Sequence, residues 1–174
     1  MYAKMKTKSN ILFIILFVSV ILCISCKEKE KYPVIPFIEN PSLTKTPGTS
    51  GIDEKGILKF SFTDGDGDIG LAESDTLPPF NPGSIFYYDL FITYYEKQHG
   101  QYVPVILPMT SNSRIPVITP NGENKSIKGD IEVELFINNY MSNYDTIAFD
   151  VSIADRALNV SNTIRTPDII VKKH

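Results

Sequence analysis

Cysteine is nearly absent: the 174-residue chain has two, Cys23 and Cys26, and none from Lys27 onward. A fold built from the later residues must therefore hold itself by an apolar core, without disulfides. Histidine is as scarce. His99 sits in a "QHG" turn signal and His174 is the last residue, so neither suggests a buried general base. No GxSxG, HExxH or P-loop pattern occurs, and no residue is singled out as catalytic. The many aspartates leave a carboxylate pair for glycoside hydrolysis open, but nothing in the pattern favours one. From Lys27 onward alanine is rare and no stretch carries a convincing 3.6-residue apolar period, which argues against a helical domain.

Positive charge is short as well. The chain has 17 basic and 20 acidic residues. Without residues 1–25, which hold three lysines and no acid, 17 − 3 = 14 basic residues face the same 20 acidic ones, a net charge of −6. That disfavours nucleic acid and electrostatic attachment to anionic lipid.

What is present begins with an address. Lys4, Lys6 and Lys8 precede an apolar run, "ILFIILFVSVILCI", from Ile11 to Ile24. As a helix, fourteen residues rise about 21 Å, too little for a hydrocarbon core of about 30 Å, so the run suits a secretory signal. It ends in "LCISC", with small Ser25 before Cys26. This stretch resembles the lipobox of bacterial lipoproteins, with Cys23 standing where that family usually has Leu, Val or Ile. The resemblance implies cleavage after residue 25, acylation of Cys26 and anchoring in a membrane by acyl chains. Each buried methylene contributes about 0.8 kcal/mol. The following "KEKEK" loosely resembles the export signal of outer-membrane lipoproteins. The expected organisation is a signal over 1–25, a lipidated tether over 26–32 and one domain over 33–174.

Within that domain, short alternating runs rich in Ile, Val, Phe, Tyr and Thr are separated by Pro, Gly, Asn and Asp, the pattern of antiparallel strands. "PVIPFI" (33–38) predicts an edge strand and "NPSLTKTPGTSGIDEKG" a loop. "ILKFSFT" predicts a strand with Leu58, Phe60 and Phe62 on one face. "SIFYYDLFITYYEK" predicts another, its apolar face made by Phe86, Tyr88, Leu90, Ile92 and Tyr94. "QYVPVIL", "SRIPVIT", "GDIEVELFI", "YDTIAFDVSI" and "NTIRTPDIIV" complete seven or eight strands. "VSIADRALNVSN" resembles the last hairpin of bacterial immunoglobulin-like and fibronectin-like modules, with Asp155, Ala157, Asn159 and Ser161 matching and Leu158 in place of the preferred glycine. The expected fold is all-β, an immunoglobulin-like Greek-key sandwich.

Chemistry concentrates in "FSFTDGDGDIGL". Asp64, Asp66 and Asp68 follow a strand directly. If extended they would line one face and repel, whereas Gly65 and Gly67 permit a curl that converges them. Converging carboxylates suit Ca²⁺, which takes six to eight hard oxygens; an exposed acidic turn is the competing reading. The spacing resembles the calcium loop of EF-hand proteins. That resemblance implies ligands from Asp64, Asp66, Asp68, the Gly70 carbonyl and Asp75. Ile69 replaces the family's glycine and Asp75 its longer glutamate, so Glu73 or the distant Asp155 could close the shell instead.

A second candidate surface is Tyr87, Phe91 and Tyr95, which alternate with the apolar face of their predicted strand and would stack on a glycan or a protein partner if they stand outward; the competing reading is that a loop or aromatics of a neighbouring strand cover them. The expected role is a non-enzymatic binding or structural module on the outer membrane. The alternative is an envelope enzyme, or an accessory subunit, acting on glycans.

Overall fold

The computed structural model describes residues 30–48, 51–118 and 125–173. The signal-like segment and Cys26 lie outside the described residues.

Alternation decides which side chains face inward. In β2 (Lys55–Asp64) Leu58, Phe60 and Phe62 are buried while Lys55 and Lys59 stay outside. This strand is the centre of a three-stranded antiparallel sheet, between β1 (Phe37–Lys45) and β5 (Ile127–Phe136). A second antiparallel sheet is built on β6 (Thr146–Ile153), the most buried strand. It pairs with β3 (Leu90–Gln98) on one side and with the short β7 (Ile164–Arg165) and β8 (Ile169–Ile170) on the other. The four-residue β4 (Gln101–Pro104) closes the edge beside β3. The connections β2–β3, β4–β5 and β5–β6 each cross from one sheet to the other. The result is the expected all-β, two-sheet sandwich.

Its core lies between the sheets. Phe60 and Phe149 are fully buried, and Tyr94 packs edge-to-face on Phe149 with ring centroids 5.4 Å apart. Burying one such ring contributes about 1.5–3 kcal/mol, so a handful of them replaces the missing disulfides. Asn162 ties the sheets at one end: its side chain accepts the Ile38 N–H (2.9 Å) and donates to the Ile38 carbonyl (2.8 Å).

Several expected boundaries move. Strand β1 does not end at Ile38 but runs on to Lys45, through residues expected to form a loop. It does so with a register shift between Glu39 and Ser42, where Asn40 takes φ 56° and Pro41, lacking an N–H, falls in the irregular step. The run predicted from Ser84 is a strand only from Leu90; Ile85–Tyr87 form a 3-10 turn, so Phe86 and Tyr88 do not share its apolar face. "SRIPVIT" supplies a single bridge, Ser113 to Leu90, and no strand among its described residues. "NTIRTPDIIV" splits into β7 and β8 around Pro167.

Buried charge is also present where the alternation is strict. Glu96 is inward-facing on β3 and 1% exposed. It accepts from Ser142 Oγ (2.6 Å), Asn139 Nδ2 (2.9 Å) and Tyr94 Oη (3.3 Å), with the Lys173 ammonium 3.8 Å away. That ammonium donates in turn to the Asn139 and Ser142 carbonyls, both at 3.0 Å. A buried carboxylate persists because its donors are this complete.

Candidate metal centre

The aspartate loop begins where β2 stops. Asp64 is the last residue of the strand and points to the buried side at 0% exposure. Gly67, with φ 63°, supplies the left-handed turn that brings the Asp68 N–H back onto Asp64 Oδ2 at 3.0 Å. Gly65 has a different duty from the one expected. A Cβ there would lie 2.4 Å from the Tyr32 carbonyl, so glycine is required for the close passage of the Tyr32–Pro33 backbone.

A fourth carboxylate arrives from the far hairpin. Ile69 forms an antiparallel bridge with Asp155, and the Arg156 N–H donates to the Asp68 carbonyl at 3.3 Å. Asp64, Asp66, Asp68 and Asp155 thereby form one group, each offering an oxygen within 4.8 Å of the others. Asp155 is held rigidly. Its two oxygens accept the Asn159 N–H and the Asn159 Nδ2, both at 2.7 Å, in a tight turn whose Leu158 takes φ 69°. The glycine preferred there by the resembling modules is thus explained: left-handed backbone disfavours a side chain.

Electrostatics make this group expensive as it stands. Two unit charges 4.8 Å apart repel by about 3.5 kcal/mol at an effective dielectric constant of about 20. Burial, and next the Asp66 carboxylate, push Asp64 up to about 7. Burial, then Asp155 and Asp66, raise Asp68 as well. One oxygen each of Asp64, Asp66 and Asp68 is buried without a hydrogen-bond donor. Buried polar atoms are rarely left this way. Four anionic oxygens and no cationic side chain within the group are the donor set of a hard divalent cation.

The remaining expected ligands lie elsewhere. The Asp75 carboxylate is paired with the Arg156 guanidinium (2.6 and 3.2 Å) and accepts the Ala72 N–H (2.8 Å); Arg156 holds it below the usual carboxylate range. The Gly70 carbonyl accepts from Arg156 at 3.3 Å. Glu73 is exposed. The physical reason is Ile69, which is fully buried and bridged to Asp155, so the chain stays extended where an EF-hand loop would curl. The stretch after it therefore turns to Arg156, and Asp155 completes the group.

The rings of the aromatic surface have neighbours. Tyr87 is off the strand, and its ring is covered by the Arg114 guanidinium at 4.5 Å. Phe91 packs edge-to-face on Phe86 (6.4 Å), and Tyr95 carries the Arg165 guanidinium at 4.3 Å. All three are half-buried and engaged with neighbours. Arg165 also stacks on Tyr102 at 4.6 Å while pairing with Asp150.

Sequence reasoning missed the two arginines behind the loop. Arg114 donates to the carbonyls of Ala72, Asp75, Phe80 and Tyr87 at 2.7–3.0 Å, and Arg156 holds Asp75. Nothing local in "SNSRIPV" or "DRALN" marks such a role; only arginine's five-donor fork hints at it. Asp89 is a further buried acid, apart from the aspartate group. It accepts the Ile115 N–H at 2.7 Å, leaves its other oxygen unpartnered, and is pushed by burial up to about 6. Compared with known proteins, the chain matches no protein-family model, no curated protein and no solved structure, so the meaning of the aspartate group rests on its own geometry.

Proposed function

We propose that this protein is a lipid-anchored envelope module of binding or structural type, whose sandwich is locked by a Ca²⁺ ion held by Asp64, Asp66, Asp68 and Asp155. One observation carries the metal: the fully buried Asp64 carboxylate has an oxygen with no donor, and it faces three further carboxylates within 4.8 Å. A proton cancels one charge of such a group; a divalent cation offsets two and attracts all four carboxylates at once. Calcium is favoured over magnesium because it accepts several carboxylates in irregular geometry, while Mg²⁺ keeps its waters and demands an octahedron. The ion's role is structural. It would join the end of β2 to the hairpin after β6 and so close one end of the sandwich. Catalysis has no support from the group, whose four members are all carboxylates.

Anchoring rests on the Lys-rich start, the apolar run and Ser25-Cys26, and outer-membrane residence on "KEKEK" after it. All three rings are half-buried, Tyr87 and Tyr95 under guanidinium groups and Phe91 against Phe86, which makes a poor glycan platform, so a protein partner is the better reading of a binding role.

Titration calorimetry on the full-length protein in detergent tests the metal. Saturable heat from Ca²⁺ that is lost in Asp66→Ala supports the reading, and no heat at millimolar Ca²⁺ overturns it. Palmitate labelling that vanishes in Cys26→Ser tests the anchor; labelling that persists, or is absent from the parent, refutes it.

A further inference from the structure

The segment 72–88 is a long loop without strand, held from outside by two guanidinium groups. Arg114 is one. The other, Arg156, adjoins the metal-facing Asp155 in the same tight turn. Its side chain leaves the turn in the opposite service: it pairs with both oxygens of Asp75, donates to the Gly70 carbonyl, and lies over the Phe80 ring at 5.6 Å. Its backbone N–H meanwhile donates to the Asp68 carbonyl.

Two neighbouring residues of one turn therefore serve two tasks that cannot be independent. Asp155 is the member of the aspartate group that comes from outside the 64–68 loop. Without a cation, repulsion within the group acts to drive Asp155, and the turn with it, away from that loop. Arg156 moves with Asp155 because a turn closed by the Leu158 N–H on the Asp155 carbonyl (3.2 Å) and by Asn159 on its side chain is stiff.

We infer that cation occupancy governs the order of the 72–80 segment, with Arg156 the coupling residue. This rests on the metal reading above. Cation binding seats the Asp155–Asn159 turn, the seated turn presents Arg156 to Asp75, and the loop start is fastened. Loss of the cation frees the loop start, while Arg114 continues to tether the segment as a whole.

Linkage makes the coupling reciprocal, and couplings of this kind change affinity about 5- to 150-fold. Removing the Arg156–Asp75 contact must then weaken the cation. Simple electrostatics gives the opposite sign for one variant, because deleting a positive charge near an anionic site tightens cation binding. Arg156→Gln thus separates the two accounts.

The experiment is hydrogen–deuterium exchange of the full-length protein in detergent, in EDTA and in saturating Ca²⁺, beside calorimetry. The expected result is slowed exchange in a peptide spanning 71–80 on adding Ca²⁺, with little change in a control peptide spanning 139–145. In Arg156→Gln the 71–80 peptide no longer responds, and Ca²⁺ affinity falls about five-fold or more; Asp75→Asn does the same. Ca²⁺ heat without slowed exchange at 71–80 overturns the coupling and leaves the metal reading intact. Equal slowing of both peptides, or tighter Ca²⁺ binding in Arg156→Gln, also overturns it. Absence of Ca²⁺ heat in the parent removes both.

Discussion

Replacing Asp64 by asparagine should stabilise the protein in one buffer and weaken it in another. Asparagine keeps the shape and an acceptor for the Asp68 N–H, and it removes one charge from a group whose members lie within 4.8 Å. In EDTA at pH 7.5 the parent must either ionise Asp64 or hold a proton on it. The ionised form bears the cost of moving its titration from 3.8 to about 7, about 4 kcal/mol at 1.36 kcal/mol per unit. The asparagine variant avoids most of that, so it should be about 2–4 kcal/mol more stable. For a domain of this size that corresponds to a Tm higher by about 10 °C. With Ca²⁺ at 100 times its Kd the parent gains about 2.7 kcal/mol, whereas the variant, short of a ligand, gains little. The order of the two melting temperatures should therefore close up or invert between EDTA and Ca²⁺. Calorimetric or circular-dichroism melts in the two buffers read this directly. A variant less stable than the parent by the same margin in both would show that Asp64 is merely a hydrogen-bond acceptor, and the repulsion argument would fall.

Asp89 sets a pH dependence of its own. Its titration is raised from 3.8 to about 6, so the stability it contributes is complete below pH 4 and lost as pH rises through 6. That loss is about 3 kcal/mol, and Asp89→Asn should flatten this part of the stability–pH curve measured by urea unfolding; an unchanged slope refutes it. Leu158→Gly relieves the left-handed turn residue and should gain about 0.5–1 kcal/mol after glycine's own entropic cost, seen as a higher urea midpoint, with a loss counting against the strain. Glu96→Ala leaves the buried Lys173 ammonium without its counter-charge and the half-buried Ser142 and Asn139 side chains without their acceptor, and should cost about 3–5 kcal/mol; a loss under 1 kcal/mol would mean water replaces the carboxylate.

Legibility followed the range of the interactions involved. The inward faces of β2, of β3 from Leu90 and of β6 were readable because strand alternation is set by residues two apart. Leu58, Phe60, Phe62, Ile147, Phe149, Val151 and Ile153 are all buried as the pattern predicts. The two-sheet class followed from the number of such runs. Boundaries were less readable. Asn40 and Pro41 signal a turn by composition, yet pairing with β2 carries the chain through them as an irregular edge, and hydrogen bonds to a neighbour outweigh local preference there.

The aspartate group divides along the same line. Asp64, Asp66 and Asp68 were recognisable because their spacing and the intervening glycines are local facts. Asp155 enters from 87 residues further along the chain than Asp68, and Asp75 is drawn off by Arg156; neither displacement has a local trace. By itself the sequence determined that three acids must converge or repel at the end of a strand. Only the tertiary structure decided which fourth acid joins them, because that choice is made by the sheet that carries Asp155 into a bridge with Ile69 and by burial that denies the unpartnered oxygens any water.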